Sequence, residues 1–289
     1  MNQTSNVNIT YAEQYIAFLD VLGFKELVKK DTHCEKISEY FTVIRNVINQ
    51  LNRIRLKQEI KSIVISDSII LAVHSRAVDD DEIKTLRQFC IAIGLIQQQL
   101  VLKNLWLRGA VSLGAVHFSQ NNVVGPAYIK AYELESKHAI YPRVIIDPEV
   151  IGKLFADQVA TADELIRVIN MEHERYGNWS GNILYNKLNF NRQPRGLEMD
   201  LPLFVDYLSP IFQPQQNNAI SDEAISQGET IIDNLLSCIY MNVEVYKKYR
   251  WVADYILATI NEYGVSYGDD GSQDINSRIG RIQKKLKMT

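Results

Sequence analysis

The stretch Tyr15-Ile-Ala-Phe-Leu-Asp-Val-Leu-Gly-Phe-Lys25 constrains the fold more than any other part of this chain. Its near-continuous apolar run over residues 15–23 predicts a buried strand. Asp20 interrupts the run, and a buried carboxylate is unfavourable unless a partner compensates its charge. Gly23 follows three residues later and is typical of a tight turn. The stretch therefore predicts a strand that ends on a charged site at one edge of a sheet.

Strands and helices are predicted to alternate along residues 10–155. Apolar spacings of three and four predict helices at 34–56, at 79–103 and from Gly125-Pro126 onward. Strands are predicted at 60–65, 69–73, 105–117 and 141–146. Ser66-Asp67-Ser68 is a turn-forming trio and predicts a hairpin between the first two of these strands. This order predicts an α+β fold, with helices on one face of a mixed sheet.

The sequence changes in character after about residue 155. Residues 174–220 are rich in Asn, Gln, Gly and Pro around an apolar island at 201–207, and residues 221–262 have the spacing of helices. We therefore predict a domain at 10–155 and a mainly helical C-terminal extension at 156–289.

Composition and charge exclude several classes of protein. A net charge of −3 disfavours a general binder of nucleic acids or membranes. Apolar runs stay well short of the ~20 residues that span a bilayer, and the first residues lack the pattern of a signal peptide. The scattered residues Cys34, Cys90 and Cys238 predict neither a disulfide framework nor a zinc site. We expect a cytoplasmic protein.

Two carboxylates, Asp20 and Asp67, are predicted to meet at the same sheet edge if their strands are neighbours. At ~4 Å they would repel by several kcal/mol, so that one takes up a proton or a cation lies between them. Magnesium and manganese prefer oxygen ligands, which favours a metal–nucleotide site. The alternative is that Asp20 caps a short helix at 23–30 and that Asp67 is only a turn residue.

Four blocks of the chain, taken in order, resemble the class III nucleotide cyclases. Ala17-Phe-Leu-Asp-Val-Leu-Gly-Phe-Lys-Glu-Leu27 resembles the first metal-binding strand of that family, and Ser66-Asp67-Ser68 resembles the hairpin that carries its second metal aspartate. Arg108-Gly-Ala-Val-Ser-Leu-Gly114 and Gly125-Pro-Ala-Tyr-Ile-Lys-Ala-Tyr-Glu-Leu-Glu135 resemble the later strand and the helix after it. The resemblance implies a ferredoxin-like cyclase domain, two Mg²⁺ or Mn²⁺ ions and a head-to-tail homodimer with shared sites.

Four positions depart from the purine cyclases of that family. Ile129 and Glu133 replace the Asn and Arg that steady the triphosphate. Asn122 and Ile63 replace the Asp and Lys that read the purine. The chain is more similar to the pyrimidine cyclases of bacterial Pycsar anti-phage systems, also in Leu203-Phe-Val-Asp-Tyr-Leu208 and Lys248-Tyr-Arg-Trp-Val-Ala-Asp-Tyr255. This similarity implies conversion of UTP or CTP to a 3′,5′-cyclic monophosphate that activates a separate effector.

The resemblance implies roles for residues around the acidic pair. Asp20 and Asp67, with the Val21 carbonyl, would hold the two ions. The backbone amides of Leu22, Gly23 and Phe24 would hold the outer phosphates, with Lys25 as a point charge beside them.

Three further residues complete the predicted site. Arg108 is the candidate for the cation that stabilises charge on the α-phosphate, although a strand-end arginine paired with a surface carboxylate fits the pattern equally well. Asn122, which both donates and accepts hydrogen bonds, suits either pyrimidine. Asn122 and Lys130 would complete the site of the partner subunit.

Two other functions are compatible with the same residues. One is a purine cyclase with unusual base recognition. The other is a catalytically inactive cyclase-fold module that binds a nucleotide, which the changes at Ile129 and Glu133 favour. The retention of both aspartates favours an active enzyme.

Overall fold

The computed structural model describes residues 8–53, 59–75, 82–155, 184–185, 203–212, 221–241, 243–263 and 273–287. Its strands are β1 (Ala12–Val21), β2 (Lys61–Ile65), β3 (Ser68–His74), β4 (Leu107–Phe118), β5 (Val123–Val124), β6 (Val144–Ile146), β7 (Leu184–Tyr185) and β8 (Phe204–Val205). Its helices are α1 (Phe24–Lys30), α2 (Glu35–Arg53), α3 (Glu82–Val101), α4 (Pro126–His138), α5 (Pro148–Phe155), α6 (Ser209–Phe212), α7 (Asp222–Ile239), α8 (Val243–Tyr263) and α9 (Gln273–Lys287).

Most predicted elements are present, with shifted ends. The first strand ends at Val21, because Leu22 and Gly23 form the turn into α1. The hairpin between β2 and β3 forms as predicted, with Ile65 paired to Ser68 across the turn. The predicted helical region 221–262 contains two helices, α7 and α8, and the chain turns between them. This turn lets the apolar faces of both helices pack into one cluster.

The sheet has the order β2-β3-β1-β4-β6-β8-β7, with β5 paired to β4 outside this path. Neighbours among β2, β3, β1 and β4 are antiparallel, and the chain reaches them in the order β-α-β-β-α-β. That arrangement is ferredoxin-like. Because β6 runs parallel to β4, the whole sheet is mixed, and the predicted α+β class is confirmed.

Helices lie on both faces of the sheet. Odd-numbered side chains of β1, such as Ala17 and Leu19, pack with the apolar faces of α2 and α3. The even-numbered side chains Ile16 and Phe18 face the other way and pack with α4. The prediction of helices on one face is therefore incomplete, since α4 and the C-terminal helices occupy the opposite face.

The C-terminal extension continues the sheet through β8, which pairs with β6. Trp251 of α8 stacks on Tyr141 with ring centroids 5.4 Å apart and meets Phe204 of β8 edge-on at 5.3 Å. The guanidinium of buried Arg143 lies 5.2–5.5 Å from these three rings. The division at residues 155 and 156 stays a prediction, although the sheet itself crosses it.

No helix within the described ranges combines the length and the apolar character that crossing a bilayer requires.

Close contact between β1 and β4 depends on Gly109, which pairs with Leu19. A Cβ atom at Gly109 would lie 2.5 Å from the carbonyl oxygen of Phe18. We expect Gly109→Ala to push the strands apart and to lower the free energy of unfolding by about 2 kcal/mol, measured by urea denaturation. Gly152→Ala is the control, because a Cβ atom added at Gly152 of α5 would meet no atom of the described residues within 4 Å. Equal stability of the two variants would contradict the close contact.

Candidate active site

The C-terminal end of β1 lies between two strands whose pairing brings the candidate residues together. Asp20 pairs with Ser68 of β3 on one side and with Arg108 of β4 on the other. Asp67 directly precedes Ser68 at the tip of the hairpin. Three segments that are far apart in the sequence therefore meet at one edge of the sheet.

Backbone hydrogen bonds hold this edge together. The Val21 amide donates to the carbonyl oxygen of Asp67 at 3.1 Å, which joins the end of β1 to the hairpin tip. The Leu22 amide donates to the carbonyl oxygen of Trp106 at 2.8 Å, just before β4 begins. Ser66 reverses the chain with a φ of 57°. Backbone bonds thus fix the position from which each functional side chain extends.

Arg108 contacts two carboxylates. Its Nε and Nη2 atoms both donate to Oδ2 of Asp20 at 3.2 Å. Its Nε also lies 2.8 Å from Oε1 of Glu135 on α4, but this contact is not a hydrogen bond because the N–H points to Asp20. The side chains of Asp20 and Arg108 are only 19% and 24% exposed, which makes this more than a surface ion pair.

The acidic pair is electrostatically unfavourable by itself. Burial raises the pKa of Asp20 above its ordinary value, and the positive charge of Arg108 opposes that rise. The nearby carboxyl of Asp67 raises the pKa of Asp20 further. Strand pairing brings residues 20 and 67 to the same sheet edge, and the guanidinium of Arg108 offsets only part of the rise at Asp20. The shared metal-binding role of the two aspartates stays a prediction.

Glu135 was not among the residues predicted from the sequence. It is one of three buried residues on α4, with Ala127 and Ala131, and their spacing of four places all three on the helix face that meets the sheet. Burial raises the pKa of Glu135 to about 7, with Arg108 opposing the rise and the charges of Asp20 and Asp67 adding to it. One feature of the sequence indicates the burial of Glu135: it follows Ala127 and Ala131 at a spacing of four, on the face of the helix that carries these small residues.

Tyr40 of α2 was not predicted either. Its ring is buried against Phe24, with centroids 5.1 Å apart, and its hydroxyl has no hydrogen-bond partner within the described part of the chain. Burial raises the pKa of the Tyr40 hydroxyl, and the charges of Asp67 and Asp20 contribute to that rise. The Tyr40 hydroxyl therefore lies within the electrostatic field of the acidic pair.

The predicted phosphate-binding turn needs one correction. The Leu22 amide is already bonded to Trp106, so it is not free to bind a phosphate oxygen. Gly23 precedes α1 with a φ of 75° and a ψ of 11°, a left-handed conformation that favours glycine. Phe24 packs its side chain into the core, while Lys25 is exposed. The amides of Gly23 and Phe24 and the Lys25 charge keep their predicted roles as a proposal.

Asn122 and Lys130 do not join Asp20 within one chain. Asn122 is exposed in the turn after β4, and the end of that strand at Phe118 is ten residues or roughly 33 Å from Arg108. Lys130 forms ion pairs with Glu149 and, at 3.6 Å, with Asp147, and its pKa is raised by the bond to Glu149. Their predicted contribution to a partner's site stays a prediction.

The residues at this edge fit a divalent cation that prefers oxygen ligands. Asp20 and Asp67 offer crowded carboxylate oxygens in a partly shielded position, and the backbone of Val21 adjoins them. Over the described ranges, no group of three or more His, Cys, Asp or Glu side chains has the geometry of a metal site. An ion here would therefore take its remaining ligands from backbone, water or substrate oxygens, as magnesium commonly does.

Comparison with known proteins gives structural similarity alone. No protein-family model and no curated protein match the sequence. The adenylyl cyclase CyaB of P. aeruginosa is 18% identical, with 53% of this chain and 85% of that chain covered and a TM-score of 0.36. The dimeric guanylyl cyclase domain of the RhoGC fusion protein from Blastocladiella emersonii is 15% identical, with 52% of this chain and 87% of that chain covered and a TM-score of 0.39. An adenylate/guanylate cyclase/hydrolase from Silicibacter pomeroyi is 12% identical, with 68% of this chain and 98% of that chain covered and a TM-score of 0.37.

Identities and TM-scores this low do not assign an activity.

The raised pKa of Glu135 predicts how stability depends on pH. Its carboxyl titrates near 7 in the folded chain against an ordinary 4.5, so its contribution to stability is present below pH 4.5 and is lost as pH rises through 7. We expect Glu135→Gln to reduce the loss of unfolding free energy between pH 5 and 8 by on the order of 1 kcal/mol, after allowance for solvent screening. Urea denaturation at several pH values measures this.

Glu133→Gln is the matched control for this pH dependence. Glu133 lies on the same helix, is 54% exposed and pairs with Lys137 at 3.4 Å. Its variant should keep the wild-type pH profile. An unchanged profile for Glu135→Gln would contradict the shifted titration.

Tyr40→Phe removes a buried hydroxyl that has no partner among the described residues. We expect the free energy of unfolding to stay the same or to rise by up to about 1 kcal/mol, because the ring contacts remain and an unsatisfied polar group is removed. Tyr15→Phe is the control, since the Tyr15 hydroxyl donates to the Glu82 carbonyl at 3.1 Å and its removal should cost about 1 kcal/mol. Thermal or urea denaturation compares them, and an equal loss in both would show that Tyr40 is bonded.

Proposed function

We propose that this chain is a pyrimidine nucleotide cyclase. It would convert UTP or CTP to the 3′,5′-cyclic monophosphate and pyrophosphate, as a second messenger for a separate effector in anti-phage defence. The observation that carries the proposal is the meeting of Asp20, Asp67 and Arg108 at one sheet edge. Two acidic side chains and one cation, partly shielded from water, suit a reaction in which negative charge builds up on phosphate.

The reaction is a displacement at the α-phosphorus. The ribose 3′-hydroxyl gives its proton to a water molecule and its oxygen forms a bond to that phosphorus, while the bond to the bridging oxygen of the leaving pyrophosphate breaks. Divalent cations would supply charge neutralisation on the attacking oxygen and on the departing phosphates. Two oxygens and one phosphorus must lie nearly in line, so most of the protein's task is positioning.

The chain's own residues would divide that task. Asp20 and Asp67 would hold the cations, with the Val21 carbonyl as a further ligand. Arg108 would neutralise charge on the α-phosphate, which requires it to exchange its present bond to Asp20 for the substrate. Lys25 and the amides after Leu22 would hold the outer phosphates.

The side chains on α4 differ from those that bind the triphosphate in the purine cyclases that this chain resembles. Ile129 is 56% exposed and presents no polar group, and Glu133 pairs with Lys137 on the helix surface. A carboxylate at residue 133 would repel a triphosphate that the arginine of a purine cyclase attracts. These side chains also support the alternative of an inactive nucleotide-binding module, so a direct assay must separate the two.

Assembly into a head-to-tail homodimer would bring Asn122 to the base. In one chain Asn122 and Asp20 belong to opposite ends of the sheet, so a partner that runs the other way would place its Asn122 beside Asp20. Ile129 and Tyr132 are half-exposed on α4, where an apolar contact between subunits would cover them. The site would then be complete only in the dimer.

An assay with the four nucleoside triphosphates tests the proposal. We expect UTP or CTP, with Mn²⁺ or Mg²⁺, to give a cyclic monophosphate that mass spectrometry identifies. Asp20→Asn and Asp67→Asn should each reduce turnover at least about 100-fold, because each removes a cation ligand. Asp233→Asn, at an exposed residue of α7 that pairs with Lys285 at 3.1 Å, serves as the folded control with near-normal turnover.

Other outcomes of the assay would point to a different function. Faster turnover of ATP or GTP would favour a purine cyclase with unusual base recognition. Nucleotide binding without any cyclic product would favour an inactive module. Equal turnover by wild type and Asp20→Asn would rule out the proposed role of the acidic pair.

A further inference from the structure

Arg108 lies between two carboxylates that have different surroundings. Asp20 belongs to the sheet edge, and its Oδ2 receives both donated bonds of the guanidinium at 3.2 Å. Glu135 comes from α4 on the covered face of the sheet, and its Oε1 is 2.8 Å from Nε, whose N–H is aligned with Asp20 instead. A small rotation of the guanidinium would transfer its hydrogen bonds from Asp20 to Glu135.

Arg108 and a divalent cation would compete for the same carboxylate oxygen of Asp20. The oxygen that accepts from Arg108 is one of the oxygens that a divalent cation would bind, and a guanidinium and a divalent ion repel each other at that distance. Binding of a cation at Oδ2 of Asp20 therefore requires Arg108 to release that oxygen. A released arginine with no other anion nearby would lose its position over the site.

Glu135 provides Arg108 with a second carboxyl partner that lies outside the pair formed by Asp20 and Asp67. Its side chain is 4% exposed, and Ala127 and Ala131 bring this face of α4 close to the sheet. Within the described ranges its Oε1 accepts no hydrogen bond, and a buried carboxylate of this kind is costly unless a partner compensates it at some stage. The guanidinium of Arg108 is the positive group that pairs with it in the described part of the chain.

We propose that Glu135 is a positioning residue that takes over Arg108 when Asp20 binds a divalent cation. The inference rests on the proposed function, because it takes Asp20 as a cation ligand and Arg108 as a phosphate-binding cation. Glu135 keeps the guanidinium within the site during the exchange, and it lowers the barrier that Arg108 presents to the incoming ion. It contacts neither substrate nor ion.

Binding of Mn²⁺ alone, measured by calorimetry or by the loss of its free EPR signal, tests this inference without any turnover. We expect Glu135→Gln to weaken Mn²⁺ binding about tenfold, because Arg108 then keeps Asp20 as its carboxylate partner and competes harder. Glu133→Gln, two residues earlier on the same helix, should bind Mn²⁺ like the wild type. Melting temperature is recorded for each variant as a check on folding.

The double variant Arg108→Gln/Glu135→Gln separates positioning from other roles. Without the guanidinium there is no competitor at Asp20, so the double variant should bind Mn²⁺ as tightly as Arg108→Gln alone and at least as tightly as wild type. If the double variant stays as weak as Glu135→Gln, then Glu135 is itself a ligand and the inference is overturned. If Glu135→Gln melts earlier but binds Mn²⁺ normally, its role is structural and the inference is also overturned.

A spectroscopic measurement on the wild type covers the case in which Glu135→Gln does not fold. The ¹⁵Nε resonance of Arg108, assigned by comparison with Arg108→Lys, should shift when diamagnetic Mg²⁺ is added, because the guanidinium changes its partner. An unshifted resonance at saturating Mg²⁺ would overturn the inference.

Failure of the proposed function gives a different result from failure of the inference. Wild-type protein that binds no Mn²⁺, or Asp20→Asn that binds it normally, removes the cation site and with it the proposed function. Wild-type binding that depends on Asp20, combined with normal binding by Glu135→Gln, removes only the role of Glu135.

Discussion

The pairing of β1 with β3 on one side and β4 on the other is the constraint on which the site depends. It places Asp20 directly beside Ser68 and Arg108, and the amides of Val21 and Leu22 tie the end of β1 to both neighbouring segments. Because a shift of one residue would turn Asp20 to the opposite face, the buried side chains of β1 also fix the chemistry at its end. Gly109 permits this close approach of the strands.

Negative charge at this edge exceeds the positive charge that faces it. The carboxyl groups of Asp20 and Glu135 share the guanidinium of Arg108, Asp67 adds a third carboxyl at the same edge, and burial shields Asp20 and Glu135 from water. A protein that needed only stability would gain from apolar residues here, since buried charge is costly even when paired. The arrangement suits a site in which Asp20 exchanges the guanidinium of Arg108 for a divalent cation and Arg108 then binds phosphate. This exchange links the proposed cyclase activity to the proposed role of Glu135.

The sequence predicted the parts of this site that follow from local pattern. The apolar run around Asp20 and the turn residues Ser66 and Asp67 predict where the strands end. Pairing of these strands then places the two ends side by side. Glu135 and Tyr40 were not predicted as residues near the site, because their burial depends on which helix face meets the sheet. A single sequence does not reveal that face.

Other errors have equally specific causes. The Leu22 amide was predicted to bind a phosphate, but it donates to the Trp106 carbonyl. Because Trp106 is 84 residues away along the chain, no local pattern reveals this hydrogen bond. The strands β7 and β8 have two residues each, too short for an alternating pattern to show.

The most direct test of the central claim is a crystal structure with Mn²⁺ and a non-cyclising UTP analogue, read from the anomalous signal of manganese. The acidic pair predicts a manganese peak about 2 Å from carboxylate oxygens of both Asp20 and Asp67, with the α-phosphate facing Arg108. Manganese bound elsewhere, or a nucleotide held away from this edge, would contradict it.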